Sequence, residues 1–133
     1  MHNYHHILMT TEEQQAVERI EQIKDSQCKL SLLHPVQAYG SGMAYVLPSL
    51  TRLDEERMAS ARSSLATVGK KLGVVESNQS VTMGRIADVI IGKANELKVD
   101  LIVVDNKNER YMLGSTVNAL MGKVSCDILV VRT

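Results

Sequence analysis

The sequence contains no phenylalanine and no tryptophan, and its four tyrosines are its entire aromatic content. A core must therefore be closed with Leu, Ile, Val, Ala and seven methionines, whose unbranched side chains fill irregular gaps. Cysteine is nearly absent too. Cys28 and Cys126 stand far apart without CxxC spacing, which leaves no multi-disulfide framework and reads as two reduced, buried thiols of a cytosolic protein. Charge of one sign is missing: fifteen basic and fifteen acidic side chains cancel. That removes the bulk attraction expected of a nucleic-acid or acidic-membrane binder. No apolar run approaches the roughly 20 residues of a membrane-spanning helix. The start of the chain, Met1 to His6, lacks the charged-then-apolar pattern of a secretion signal. The expectation is one cytoplasmic domain, residues 1–133, with neither nucleic acid nor membrane as partner.

What is present is an alternation of short apolar runs with stretches of helical period. Tyr4 to Thr10 reads as a first strand. Thr11-Glu-Glu-Gln14 has the form of a capping box, with the Thr11 hydroxyl accepting from the Gln14 backbone N–H. Ala16, Val17, Ile20 and Ile23 then share a helix face. Lys29 to Leu33 is a second strand that ends near Pro35, and residues 36–52, with Gly40, Gly42 and Pro48, form a long irregular connection. Met58, Ala61, Leu65, Val68 and Leu72 mark a helix from about Asp54 to Leu72, with Gly73 placed to end it in a left-handed cap. Val75 to Met83 reads as a polar edge strand, followed by a helix bearing Ile86, Val89, Ile90, Ala94 and Leu97. Leu101 to Val104 is an unbroken apolar run suited to a strand covered on both faces. Val117, Leu120, Met121 and Val124 mark a last helix, and Ile128 to Val131 a fifth strand. This order predicts an α/β fold: an open parallel sheet with helices on both faces.

In such a sheet, ligands bind beyond the carboxyl ends of the strands, where the strand order reverses. Three segments fall there: Thr10-Thr11-Glu12, Asp105 to Arg110, and Gly114-Ser115-Thr116. Gly114 permits close backbone approach, and Ser115 and Thr116 add hydroxyls at a helix start whose unpaired N–H groups favour phosphate. The same residues also suit an ordinary helix cap, which is the default reading on local sequence. His2, His5 and His6 crowd one strand end, but neighbouring strand side chains diverge, so no metal site is expected. His34 beside Pro35 reads as a satisfied buried histidine. No Ser-His-Asp or Cys-His arrangement is readable, and Asp127 beside Cys126 raises that thiol's pKa.

Several stretches together resemble the universal stress protein family over nearly the whole chain. They are His6-Ile-Leu-Met9, Lys29-Leu-Ser-Leu-Leu-His34, Gly84-Arg-Ile-Ala-Asp-Val-Ile90, Val99-Asp-Leu-Ile-Val-Val104, Leu113-Gly-Ser115 and Cys126-Asp-Ile-Leu-Val-Val-Arg132. The resemblance implies a Rossmann-like five-stranded parallel sheet of order 3-2-1-4-5. It also implies a homodimer formed through Ile128, Leu129, Val130 and Val131 of the last strand, and a stress-response role in the cytoplasm. ATP-binding members of the family resemble one another in a G-x2-G-x9-G-[S/T] loop after strand four. Here the two leading glycine positions fall on Asp105 and Asn108, and eight residues separate Asp105 from Gly114 where the motif would place twelve. Glycines allow backbone N–H groups to turn toward phosphate. Asn106 and Asn108 tolerate left-handed conformations. Asp105 sets a carboxylate where phosphate charge would sit, and two unit charges about 4 Å apart repel by roughly 4 kcal/mol at an intermediate dielectric. That is half of the roughly 8 kcal/mol of a micromolar complex. The 105–110 run reads instead as a solvated, salt-bridged turn. Glu12 falls where nucleotide-binding relatives place an acidic residue beside the nucleoside, although a Glu in a first helical turn is also favoured by the macrodipole.

The expectation is a non-catalytic homodimer that acts by associating with other proteins of unknown identity, with no cofactor. The alternative is an adenine-nucleotide switch binding ATP or AMP through Thr10, Glu12, Asp105, Asn106, Asn108, Gly114, Ser115 and Thr116. Slow nucleotide hydrolysis through Asp105 or Glu12 is the enzymatic rival.

Overall fold

A computed structural model describes residues 4–38, 49–106 and 113–133, with side chains left undescribed at 49–51 and 113–115. The elements run β1 (His6–Met9), α1 (Gln14–Ile23), β2 (Lys29–Gln37), α2 (Ser49–Leu72), a 3-10 turn (Glu76–Asn78), β3 (Gln79–Gly84), α3 (Ile86–Leu97), β4 (Leu101–Asp105), α4 (Leu113–Lys123) and β5 (Asp127–Val131). All pairings are parallel, and the sheet order is β3-β2-β1-β4-β5. The expected α/β architecture is therefore the observed one.

Two apolar layers hold the sheet. Along β1 and β4 successive side chains point to opposite faces. Ile7, Met9, Leu101 and Val103 pack with Ala16, Val17 and Ile20 of α1 and Leu65, Val68 and Leu72 of α2. Leu8, Ile102 and Val104 pack on the other face with Ile90 and Ala94 of α3 and Leu120 of α4. This explains the unbroken apolar run of β4: every residue from Leu101 to Val104 is buried. Full burial of each such side chain stabilises the fold by about 1.5–3 kcal/mol.

Several boundaries differ from the sequence expectations, each for a local reason. β1 is shorter than Tyr4 to Thr10, although the flanking groups still bond to the sheet, with Lys29 N–H donating to His5 O and Thr10 N–H to Val103 O. The capping box does not form. The Thr11 hydroxyl accepts from the Glu13 N–H at 3.2 Å, turning the chain before α1, and the Gln14 amide reaches forward to Glu18. Glu13 is the N-cap residue, without a side-chain cap. β2 continues through Pro35 to Gln37. Ala38 N–H bonds Gly84 O on β3, so by alternation the nitrogen of Pro35 faces the side of β1. β1 has already ended there, its last pair being Met9 with Leu32, so the missing N–H leaves no ladder bond unmade.

α2 starts at Ser49 rather than near Asp54 and ends at Gly73, whose φ of +71° is the expected left-handed cap. Glu76-Ser-Asn78 forms a 3-10 turn where a strand was expected, in keeping with the competition of Ser and Asn side chains for nearby backbone. Most of the irregular 36–52 connection, residues 39–48, lies outside the described residues. Met121, expected on the buried stripe of α4, is 66% exposed. Leu120 occupies the inward position, and its neighbour lies about 100° around the helix. Among the described residues no helix is long and apolar enough to cross a membrane.

Candidate functional site

The strand order reverses between β1 and β4, so the crevice lies above their carboxyl ends. Thr10, leaving β1, does not present a donor there. Both its N–H (3.0 Å) and its hydroxyl (2.7 Å) donate to Val103 O of β4. The hydroxyl's one proton is used in stitching β1 to β4 across the switch point, which leaves only its lone pairs for anything bound above.

Glu12 lies before α1 and outside its first turn, so the macrodipole does not explain it. Its carboxylate engages His34 Nδ1, from the far end of β2. His34 is satisfied as expected but not buried, with 33% of its side chain exposed. This pair joins the exits of β1 and β2, and the sequence reading missed it. It borders a groove of about 590 Å³ between β2 and α2 that His34 and Arg57 help to line. The Arg57 guanidinium is held by Asp54 at 3.1 Å and by Gln37 O at 3.0 Å.

At the exit of β4, Asp105 is half-buried and pairs in register with Val131. Asn106 is turned toward the chain's last residues rather than the crevice. Its N–H donates to Val131 O at 3.2 Å, and its Oδ1 accepts from the Thr133 N–H (2.9 Å) and hydroxyl (3.2 Å). Asn108 lies outside the described residues, as do the others from 107 to 112. Gly114, Ser115 and Thr116 fall within the first turn of α4, which begins at Leu113. Ser115 and Thr116 are thus inside the helix and not at its cap, and the backbone N–H groups of this turn lack intrahelical acceptors. Thr116 is half-buried. The structure brings Thr10 and Asn106 to the ends of the two strands flanking the switch point, but turns both into intramolecular bonds.

The opposite, amino edge of the sheet is tied as firmly. Asp100 accepts the N–H groups of His5 and His6, each at 2.8 Å. Partial burial pushes its pKa up, but these bonds and one from its own amide outweigh that and hold the carboxyl below its ordinary value. The Tyr4 hydroxyl donates to Asp127 at 2.7 Å, and His6 Nε2 meets the buried Ser31 hydroxyl at 2.8 Å. His6 is thereby committed to a contact with β2 on the sheet face. Burial pushes the His6 pKa down, and Lys29 adds to this. Cys28 and Cys126 are half-buried rather than buried, and belong to opposite core layers. Burial raises both thiols. Nearby Asp25 adds to this at Cys28, and Asp127 at Cys126.

β5 has β4 as its neighbour on one side and none on the other among the described residues. Of the four residues expected at an interface, Val131 is buried within the chain, Ile128 and Leu129 pack partly against the two core layers, and Val130 is 41% exposed.

A sheet of this order, with a crevice at its β1–β4 switch, coincides with a match to the model of the universal stress protein family over residues 3–132. The chain belongs to the universal stress protein family. Universal stress protein A homolog 2 of Coxiella burnetii is 27% identical over 142 residues, covering 99% of this chain and 97% of that one. Homolog 1 of the same organism is 27% identical over 141 residues, covering 97% and 96%. Among solved structures, the universal stress protein UspA from Lactobacillus plantarum superposes with a TM-score of 0.74 at 21% identity, covering 99% of this chain and 100% of that one. A universal stress protein in complex with cAMP gives 0.56 at 20% identity, covering 99% of each chain. At these identities the structural likeness is one of fold. As a universal stress protein, the chain keeps Gly114-Ser115 at the start of α4 while committing Thr10 and Asn106, at the exits of β1 and β4, to bonds within the molecule.

Proposed function

We propose that this protein is a non-catalytic, cytoplasmic stress-response protein that works as a homodimer through association with other proteins, without tight ATP binding and with no cofactor. The observation that carries the reading is the segment leaving β4: only eight residues lie between Asp105 and Gly114, none of them glycine, and Asp105 sets a carboxylate before them. A segment of that length without glycine offers few residues that readily take positive φ and direct N–H groups at a triphosphate. Supporting it, Glu12, the carboxylate best placed for nucleoside hydroxyls, already holds His34. The homodimer is supported by β5, an apolar edge strand of the kind that pairing with a second copy covers.

Isothermal titration of the intact protein with ATP and AMP tests this. The expected result is no saturable one-to-one binding in the low micromolar range, and such binding would overturn the reading. A second reading, a nucleotide switch gripping phosphate through Gly114, Ser115 and Thr116, is favoured by their place in the first turn of α4, where backbone N–H groups lack intrahelical acceptors, and by the family relative that holds cAMP. It requires that Ser115→Asp abolish any binding while leaving the fold intact.

A further inference from the structure

The edge of the sheet opposite β5 is β3. From Gln79 to Gly84 its sequence, QSVTMG, contains no charged residue and no proline. Soluble proteins guard exposed sheet edges with lysine, proline, bulges or a covering element, because an edge is a template for another strand. This strand carries neither lysine nor proline, and among the described residues no further strand pairs with its outer side. Gly84 O accepts from the N–H of Ala38, just beyond β2, so by alternation the backbone groups of Ser80, Thr82 and Gly84 face β2. Those of Gln79, Val81 and Met83 face outward.

Beside this edge runs a groove of about 660 Å³ between β3 and the second half of α2. Its floor is apolar, with Leu65, Ala66, Val75 and Val81, and Val75 is 60% exposed. Gly69 permits the floor to form. A Cβ there would lie 2.2 Å from the side-chain nitrogen of Gln79, which donates to Val74 O at 3.0 Å. Two exposed cations, Arg62 and Lys70, border the groove against one acid, Glu76. The two cations are eight helical positions apart, about 12 Å along the axis. In an extended chain, residues four apart on one face are separated by about 13 Å.

We propose that β3 and this groove accept an extended segment of a partner protein that pairs with Val81 and Met83. The segment carries an apolar side chain flanked, two residues to each side, by acidic ones that meet Arg62 and Lys70. The proposal rests on the reading that the protein works by association, and names the surface and the chemistry of its partner. Backbone pairing supplies affinity, and the alternate side chains supply selectivity.

The test uses the full chain, 15N-labelled, titrated with a capped heptapeptide that alternates threonine with Glu, Val and Glu, and with its counterpart carrying Lys for Glu. The expected result is saturable shifts centred on the amides of Val81 and Met83 with the acidic peptide. Binding should be at least tenfold weaker with the basic peptide, and at least tenfold weaker for Arg62→Glu/Lys70→Glu, whose melting temperature should stay near that of the native chain. Shifts confined to β5, equal response to both peptides, or concentration-dependent shifts at Val81 without peptide (self-pairing of this edge) would each overturn the proposal. Tight nucleotide binding would sink the association reading and leave the outcome at β3 standing, so the two failures are separable.

Discussion

Asp100 shows how one side chain can fix a sheet edge. Its carboxylate receives two backbone N–H groups from the start of β1, and its pKa is lowered in the folded protein by those bonds. A lowered folded value means that the contribution is fully present above the unfolded carboxyl pKa of about 3.9 and fades as pH falls through the folded value. Asp100→Asn should therefore lose stability most at neutral pH, on the order of 1 kcal/mol for charge-assisted bonds at a partly solvated site. The gap to the native protein should close below about pH 4 in acid titrations of urea unfolding. A gap that stays constant down to pH 2 would remove the carboxylate from the account. This contact was not legible in the sequence, because His6 and Asp100 are 94 residues apart and neither belongs to a motif. The same holds for Glu12 with His34 and for Asn106 with Thr133: local patterns name the residues but not their partners.

Elements were more legible than their ends. The stripes of α1 and α2 and the double-faced burial of β4 follow from period and run length, and the structure reproduces them. Termination depends on single backbone conformations, which sequence indicates only where glycine stands. Gly73 indicated its turn, whereas α3 ends on Lys98 in the left-handed region, at φ +54°. A Cβ is disfavoured there by about 1–2 kcal/mol. Lys98→Gly should consequently stabilise the protein by up to about 1 kcal/mol, raising Tm by a few degrees. Lys98→Ala should give no such rise, since it keeps the Cβ. A fall in Tm for the glycine variant would show that Lys98 supports the helix end by other means.

At the scale of the whole molecule, the strand order follows from alternating strands and helices together with the family resemblance, and each outer strand, β3 and β5, has a neighbour on one side only among the described residues. Val130 is exposed on β5, so placing a cation there should leave the monomer intact while opposing strand-to-strand assembly. Val130→Lys is expected to sediment as a monomer at concentrations where the native chain sediments as a dimer. A native chain that is monomeric at tens of micromolar would refute the assembly. The central position of β1 has one more consequence, this time for biosynthesis. Its pairing with β2 is available early, but Thr10 meets Val103 only after 93 further residues have been made. At about 5–20 residues per second, the nascent chain waits on the order of 5–20 s with one flank of its innermost strand uncovered.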